Sequence, residues 1–287
     1  MLNILEACVP AWVPGQTLAT ITPANPKYWH IVVEAKKLAY RDLFTHNGDP
    51  NFVSVPVAKL LSKSHAQSLC TQVSPERASA STPGARVDGT GDTIVLSTAD
   101  RWGNMVSWVN SNYATFGSGL TVPGYGFILH NRGSLFTLDP KSPNVIAPNK
   151  RPFNTLSAGF VMHDNRPLMT VTLMGGDMQA QGIAQVLVNV LTLGANLQAA
   201  TDMARFHHSQ VPNVLQLESR LFALVGAQLQ AMGHKVESAS GGAVGGYQAI
   251  MFTPDPDAPG ASGELQPIRG FYRAGSDHRK DGQAVGY

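Results

Sequence analysis

The chain changes character abruptly at Thr93, and this junction constrains its fold more than any other feature. A polar segment ending at Gly91 and Asp92 gives way there to the apolar run Ile94–Leu96, which is typical of a β-strand. On spacing alone, Thr93 is an ordinary first residue of that strand. If the preceding peptide bond were cut, Thr93 would carry both a hydroxyl nucleophile and an α-amino group. That amine, with a pKa of about 7.7–8.0, can take the hydroxyl proton near neutral pH.

Composition excludes several classes of protein. Of the 287 residues, 43% are hydrophobic and 14% are charged, which suits a globular chain with a sizeable core. The formal net charge is only +2 and the basic residues are scattered, so binding to nucleic acid or a membrane surface is not indicated. No apolar stretch approaches the roughly 18–20 residues of a membrane span.

The first residues and the two cysteines give further expectations. The segment from Met1 to Val13 contains Glu6 and lacks a basic region, which argues against a signal peptide and for a cytoplasmic chain as written. Cys8 and Cys70 have no metal-ligand spacing. We expect two isolated thiols rather than a disulfide framework or a catalytic cysteine.

Upstream of the junction, periodicity predicts one long helix and a linker. Residues 28–43 carry apolar side chains on one helical face, with Glu34, Lys37 and Arg41 largely opposite. Residues 63–91 are rich in Ser, Thr, Pro, Gly and Ala, which indicates a mobile linker.

Downstream of the junction, strands and helices follow in blocks, which predicts packed layers of an α+β fold. The expected elements are a hairpin over 93–99 and 105–109, a second over 157–162 and 168–173, helices over 182–194 and 219–232, a glycine-rich turn over 241–246 and a strand over 247–252.

Five motifs occur in the order and context of one enzyme family: Thr93–Asn104, Pro148–Pro152, Met174–Asp177, Ala204–His208 and Gly275–Arg279. On these motifs the whole chain, from Met1 to Tyr287, resembles the γ-glutamyltransferase family, also called γ-glutamyltranspeptidase or glutathione hydrolase. A long segment that precedes the Leu2–Glu6 motif in that family has no counterpart here. The chain therefore looks like an N-terminally truncated member.

The resemblance implies a fold and a division of the chain. The fold is the four-layer αββα sandwich of the N-terminal-nucleophile hydrolases, incomplete at its N-terminal side. Residues 1–92 correspond to the C-terminal part of the family's large subunit, ending in a flexible linker. Residues 93–287 correspond to the small subunit, which carries the nucleophile. Family members are often periplasmic or extracellular.

The resemblance also assigns catalytic roles. Thr93 is the nucleophile, Ser111 is a hydroxyl residue that orients it, and Gly175 and Gly176 supply the oxyanion-hole amides. Without the resemblance, the two glycines are better explained as a tight turn between a strand and a helix.

Substrate-binding positions depart from the family pattern. Asn154 and Thr155 stand where better-studied members have two serines that hold the donor's carboxylate. Surface or loop hydrogen bonding is the alternative for both and for Ser111, and it explains Asn154 nearly as well. Arg132 and Leu135 stand where a glutamine and an acid are typical, which removes the ion pair expected for an α-ammonium group. Tyr113 replaces a polar binding residue. Arg132 either holds a carboxylate or is simply exposed or structurally paired, and Tyr113 either binds substrate or packs.

The expected activity is γ-glutamyl hydrolysis or transfer, after self-cleavage between Asp92 and Thr93 into the two subunits of one precursor. The donor would be a γ-glutamyl compound such as glutathione, and the acceptor water, an amino acid or a peptide. No cofactor and no metal are expected, because the adjacent histidines His207 and His208 lack a third ligand. Two alternatives stay open: an amidase of the same fold acting on another acyl group, such as a β-lactam side chain, and an inactive fragment.

Overall fold

The computed structural model describes residues 1–80, 92–239, 242–255, 257 and 267–287. The chain divides into two compact units, each assembled from three segments. The first unit contains Met1–Gly89, Asn131–Asn154 and Ala204–Val244, and the second contains Thr90–His130, Thr155–Met203 and Gly245–Tyr287. This division concerns packing, whereas the expected boundary between Asp92 and Thr93 concerns cleavage and stays a prediction.

Helices and strands are numbered in chain order. The helices are α1 Leu2–Trp12, α2 Leu18–Ile21, α3 Pro26–His46, α4 Val57–Leu60, α5 Lys63–Leu69, α6 Met178–Leu191, α7 Leu197–Asp202 and α8 Ser219–Ala231, with 3-10 turns at Cys70–Gln72 and Arg132–Leu135. The strands are β1 Asp92–Ala99, β2 Met105–Tyr113, β3 Ala158–His163, β4 Arg166–Met174, β5 Phe206–Ser209, β6 Val214–Leu217, β7 Lys235–Ser238, β8 Gly246–Pro254 and β9 Gly270–Ser276. None of the helices in these described ranges has the length and apolarity needed to cross a membrane.

The long helix α3 confirms the predicted helix and extends it at both ends. It begins after Asn25, whose side chain accepts a hydrogen bond from the amide of Lys27, as expected of an N-cap. The amphipathic pattern placed Glu34 and Lys37 largely opposite the apolar face and did not predict their burial. Both are buried, and Lys37 Nζ lies 2.8 Å from Glu34 Oε1. The pairing of the two charges makes their burial tolerable.

Cys8 and Cys70 form a disulfide, so the expectation of two isolated thiols is wrong. Helices α1 and α5 pack against each other, which brings together cysteines separated by 62 positions in the sequence. Spacing alone carries no signal of such a contact.

The expectation of a linker from residue 63 is wrong at its beginning, where α5 forms. The hydroxyl of Ser62 caps this helix by accepting a hydrogen bond from His65 N, and Ala66 and Leu69 are buried. Residues 81–91 of the expected linker lie outside the described residues.

A three-stranded sheet completes the first unit. Strand β6 pairs with β5 in antiparallel fashion and with β7 in parallel fashion, and α8 connects β6 to β7. The predicted helix over 219–232 is confirmed by α8.

The second unit contains both predicted hairpins. Strands β1 and β2 form a two-stranded ribbon, and β3 and β4 belong to a four-stranded sheet with the order β3-β4-β8-β9. Helix α6 begins four residues earlier than predicted and packs closely on β4. A Cβ added at Gly182 of α6 would lie 2.7 Å from Leu173 Cδ1, so glycine allows this close approach.

Three layers follow one another in the second unit. Strand β4 contacts α6 and also both ribbon strands, and it is buried along most of its length, as expected for a strand covered on both faces. The outer face of the ribbon is exposed, and its large apolar side chains are Ile94, Leu96, Val106 and Trp108. The order of layers is therefore helix, sheet and ribbon, which matches three successive layers of an αββα sandwich.

Candidate active site

Thr93 lies at the start of β1, where strand pairing fixes its neighbour. It is 4% exposed and stands opposite Ser111 in the β1–β2 register. Thr93 Oγ1 donates a hydrogen bond to Ser111 Oγ over 3.0 Å. The register shifts between Asp92 and Thr93, so a β-bulge interrupts the ladder at this peptide bond.

The backbone of Tyr113 supports the same hydroxyl. Its amide donates a hydrogen bond to Ser111 Oγ over 2.9 Å. Tyr113 has φ +75°, a left-handed conformation that is rare and strained for a bulky residue. Its side chain is 5% exposed. The structure thus brings Thr93, Ser111 and Tyr113 together by direct contacts.

The glycine pair Gly175–Gly176 directly follows β4. Their φ values of +118° and +61° favour glycine. Their carbonyl oxygens accept hydrogen bonds from the amides of Met178 and Gln179 over 3.1 and 3.2 Å, which begins α6. Neither glycine amide donates a hydrogen bond to another residue in the described ranges. Two adjacent N–H groups near a helix N-terminus can stabilise a developing negative charge. Because β1 contacts β4, Thr93 lies on a strand that contacts the one directly preceding the glycine pair.

The three remaining predicted positions differ in burial and in unit. Thr155 is 7% exposed and belongs to the second unit. Two residues further on, the amide of Ser157 donates to Gln179 Oε1 over 2.7 Å, which ties this segment to the first turn of α6. Arg132 is buried in its 3-10 turn and Asn154 is exposed, and both belong to the first unit.

The histidines of the Arg205–His208 motif have structural partners. Lys36 Nζ donates to the carbonyl oxygen of His208 over 2.7 Å and lies 3.1 Å from His208 Nδ1. On the other side of the ring, Nε2 lies 2.9 Å from Asn213 Oδ1. Burial and the nearby lysines hold the pKa of His208 well below its ordinary value. A neutral ring that accepts at Nδ1 and donates at Nε2 satisfies both contacts.

His30, Glu34 and His234 form a buried group that the sequence patterns did not predict. One ligand atom from each lies within 4.8 Å of the others, a spacing that could suit a metal ion. Glu34, however, already binds the Lys37 ammonium at 2.8 Å and accepts a hydrogen bond from Ser79 Oγ at 2.5 Å. Lys37, rather than a metal ion, therefore supplies the positive charge beside this carboxylate. Helical spacing between His30 and Glu34 was the available sequence signal.

The two histidines of this group form a neutral pair. His30 Nε2 lies 2.9 Å from the Ser74 carbonyl oxygen, and His30 Nδ1 lies 2.9 Å from His234 Nε2. The carbonyl can only accept, so His30 carries its proton on Nε2 and accepts from His234 Nε2–H. Burial, followed by the charge of Lys37, lowers the pKa of His234 to about 3, and burial also lowers the pKa of His30.

Arg151 holds the start of the Arg151–Asn154 segment in place. Its backbone amide and its Nη2 each donate to the Asp49 carboxylate over 2.8 Å. These bonds hold the pKa of Asp49 well below its ordinary range. Lys150 donates to the carbonyl oxygens of Pro143 and Val145. The basic pair Lys150–Arg151 therefore has structural contacts.

Comparison with known proteins gives one consistent result. The sequence profile of the Gamma-glutamyltranspeptidase family matches residues 1–287. The chain is 33% identical to the glutathione hydrolase proenzyme of Escherichia coli over 81% of its own length and 42% of that protein. It is 32% identical to the oxamate amidohydrolase proenzyme of Klebsiella pneumoniae over 90% of its own length and 47% of that protein.

A crystal structure of cephalosporin acylase from Bacillus halodurans is also similar, with a TM-score of 0.82 and 34% identity, covering 100% of this chain and 49% of that one. The likeness confirms the predicted α+β sandwich of the N-terminal-nucleophile type. The chain spans about half the length of the curated relatives it matches. Because the family profile matches every residue from 1 to 287, this protein belongs to the gamma-glutamyltranspeptidase family.

Proposed function

We propose that this chain forms part of a γ-glutamyl hydrolase or transferase that acts through an acyl-enzyme on Thr93. The observation that carries the proposal is the 3.0 Å hydrogen bond from Thr93 Oγ1 to Ser111 Oγ. It holds the hydroxyl of the junction residue in one orientation, at the point where the β1–β2 ladder is interrupted.

Maturation, in this proposal, begins with attack of Thr93 Oγ1 on the carbonyl carbon of Asp92. The C–N bond between the two residues breaks, the proton lost by Oγ1 passes to the Thr93 nitrogen, and an ester links Asp92 to Thr93 Oγ1. Water then hydrolyses the ester. The products are a chain ending at Asp92 and a chain beginning at Thr93, whose free amine is the base for the next reaction. Several relatives carry the word proenzyme in their names.

Acyl transfer uses the same oxygen. The α-amine of Thr93 takes the hydroxyl proton while Oγ1 attacks the donor's side-chain amide carbon, and the amides of Gly175 and Gly176 hold the developing oxyanion. The proton passes to the leaving amine as the C–N bond breaks. Water then releases the acyl group as an acid, or an amino acid or peptide amine accepts it. Thr155, Asn154, Arg132 and Tyr113 are the proposed substrate-binding residues.

A second candidate is an amidase that acts on a different acyl group. The relatives named oxamate amidohydrolase and cephalosporin acylase favour it. So do Arg132 and Leu135, because neither side chain supplies an anion for the α-ammonium group of a γ-glutamyl donor. An arginine is better suited to an acyl group that carries a carboxylate.

Two anilides that differ in one group separate these candidates. The full chain would be given γ-glutamyl-4-nitroanilide and glutaryl-4-nitroanilide, which lacks the α-ammonium group, with Thr93→Ala as the control. The proposal expects Thr93-dependent release of 4-nitroaniline from the γ-glutamyl compound. Release from the glutaryl compound alone would assign the second candidate. If the chain has been cleaved before Thr93 but releases 4-nitroaniline from neither compound, the result would contradict hydrolase activity of this chain.

A further inference from the structure

Gly245 lies immediately before β8 and beside the end of β4. Its φ is +69°, and a Cβ added there would lie 2.2 Å from the carbonyl oxygen of Met174 and 2.7 Å from Leu173 Cδ2. The first of these atoms belongs to the backbone and cannot rotate away. The chain can therefore approach Met174 this closely only because residue 245 has no side chain.

The contact continues onto the glycine pair. A Cβ added at Gly175 would lie 3.1 Å from Gly245 Cα and 3.3 Å from Met178 Cβ. The backbone of Gly175 is thus enclosed between Gly245 on one side and the first residue of α6 on the other. Sheet pairing of Met174 with Gly246 keeps the two segments in register.

Hydrogen bonds with Asp277 hold the segment around Gly245 in place. The amide of Tyr247 donates to Asp277 Oδ2 over 3.0 Å, and the amide of Asp277 donates to the carbonyl oxygen of Tyr247 over 3.1 Å. The buried carboxylate of Asp277 also lies 3.1 Å from Arg279 Nη1. These contacts hold Gly245 against the backbone of Met174 and Gly175.

We propose that Gly245 is a positioning residue that sets the direction of the Gly175 and Gly176 amides, an inference that rests on the proposed function of those amides. Neither amide is oriented by a hydrogen bond to another described residue. Backbone packing against Gly245 is then what fixes the peptide planes. An oxyanion hole needs such fixed donors, because a donor that must reorient during the reaction stabilises the transition state less.

The variant Gly245→Ala tests this role, and Gly242→Ala is its matched control. Gly242 belongs to the same glycine-rich turn, but a Cβ added there meets nothing within 4 Å. We expect Gly245→Ala to lower kcat by about tenfold to a hundredfold, since loss of one oxyanion donor costs about 10²–10³ in kcat. KM should change little, because the ground-state carbonyl depends less on these amides. Gly242→Ala should retain both constants.

A second measurement tests the position of Gly245 independently of catalytic activity. In the full chain labelled only at glycine, NMR should give a nuclear Overhauser contact between the Hα atoms of Gly175 and Gly245. Gly245→Ala should shift the amide signals of Gly175 and Gly176, and Gly242→Ala should leave them in place. If Gly245→Ala does not fold, the presence or absence of the Gly175–Gly245 contact in the wild type tests the proposal.

The outcomes separate the two proposals. Shifted glycine amides together with a loss of kcat support the positioning role. If the glycine amide signals shift in Gly245→Ala but the wild type hydrolyses no donor, the results support the positioning role and contradict the proposed function. Unshifted amides with normal kcat in Gly245→Ala, or a wild-type chain without the Gly175–Gly245 contact, would overturn the inference.

Discussion

Thr93 Oγ1 donates its hydrogen bond to Ser111 Oγ over 3.0 Å, and the same Ser111 oxygen accepts the amide proton of Tyr113 over 2.9 Å. The hydroxyl proton of Thr93 therefore points at Ser111, and the Thr93 lone pairs point elsewhere. Strand pairing and the left-handed backbone of Tyr113 fix this arrangement.

Removal of the Ser111 hydroxyl should slow both self-cleavage and hydrolysis. We expect Ser111→Ala to lower each rate by about tenfold to a hundredfold, because the lost hydrogen bond corresponds to about 1–3 kcal/mol. Ser111→Thr keeps the hydroxyl and should retain most of the activity. Gel densitometry measures self-cleavage, and anilide release measures hydrolysis. Equal rates in Ser111→Ala and the wild type would show that Ser111 does not orient the nucleophile.

The pH dependence of hydrolysis should report the Thr93 amine. This group acts as a base only when neutral, so kcat should rise with pH through a pKa of about 7.7–8.0 and then level off. A kcat profile from about pH 6 to about pH 9.5 checks this expectation. A profile that is flat across that interval would remove the amine from the mechanism.

The neutral pair of His30 and His234 should make the fold sensitive to acid. The pKa of His234 is lowered to about 3, whereas an unfolded histidine titrates near 6.5. Between these values the unfolded chain binds the extra proton. Stability is therefore fully present above about pH 6.5 and falls by roughly 1 kcal/mol per pH unit as the pH drops below it.

Urea unfolding of the wild type and of His234→Gln between about pH 7 and about pH 5 checks this expectation. The variant should depend less on pH, because glutamine can donate to His30 Nδ1 but does not titrate in this range. His163→Gln, which removes an exposed histidine, should keep the wild-type slope. The same slope in all three chains would contradict the account of the buried pair.

The Cys8–Cys70 disulfide should stabilise the chain by constraining its unfolded state. For a separation of 62 residues, the loop-entropy relation gives a contribution of about 4 kcal/mol. The double variant Cys8→Ala/Cys70→Ala should lose up to this amount in urea unfolding. Addition of a reductant should lower the midpoint of the wild type but not that of the variant. Unchanged wild-type stability after complete reduction would argue against a structural role for the bond.

Local patterns predicted most of the second unit and helix α8 of the first unit. The β1–β2 ribbon could be read from the β-branched run after Thr93 and the turn around Gly103, and α8 from its apolar spacing and Gly233. These signals succeed because hairpins and amphipathic helices depend on neighbours in the sequence. The β1–β2 register then places Ser111 opposite Thr93.

Long-range contacts could not be predicted in this way. Lys37 and Glu34 are buried because each satisfies the other's charge, and a pattern of polar residues on a helix does not reveal such pairing. The close approach of Gly245 to Met174 likewise depends on two strands separated by a long stretch of chain. The roles of the site residues came from family resemblance, and their assignments stay predictions.

Accurate mass and N-terminal sequencing of the purified full chain show whether Thr93 releases itself from the chain. We expect two fragments, one ending at Asp92 and one beginning at Thr93, which form without added protease. Thr93→Ala should remain a single intact chain under the same conditions. A wild-type chain that stays intact on prolonged incubation, or cleavage at this bond that persists in Thr93→Ala, would contradict the claim that Thr93 is a self-released nucleophile.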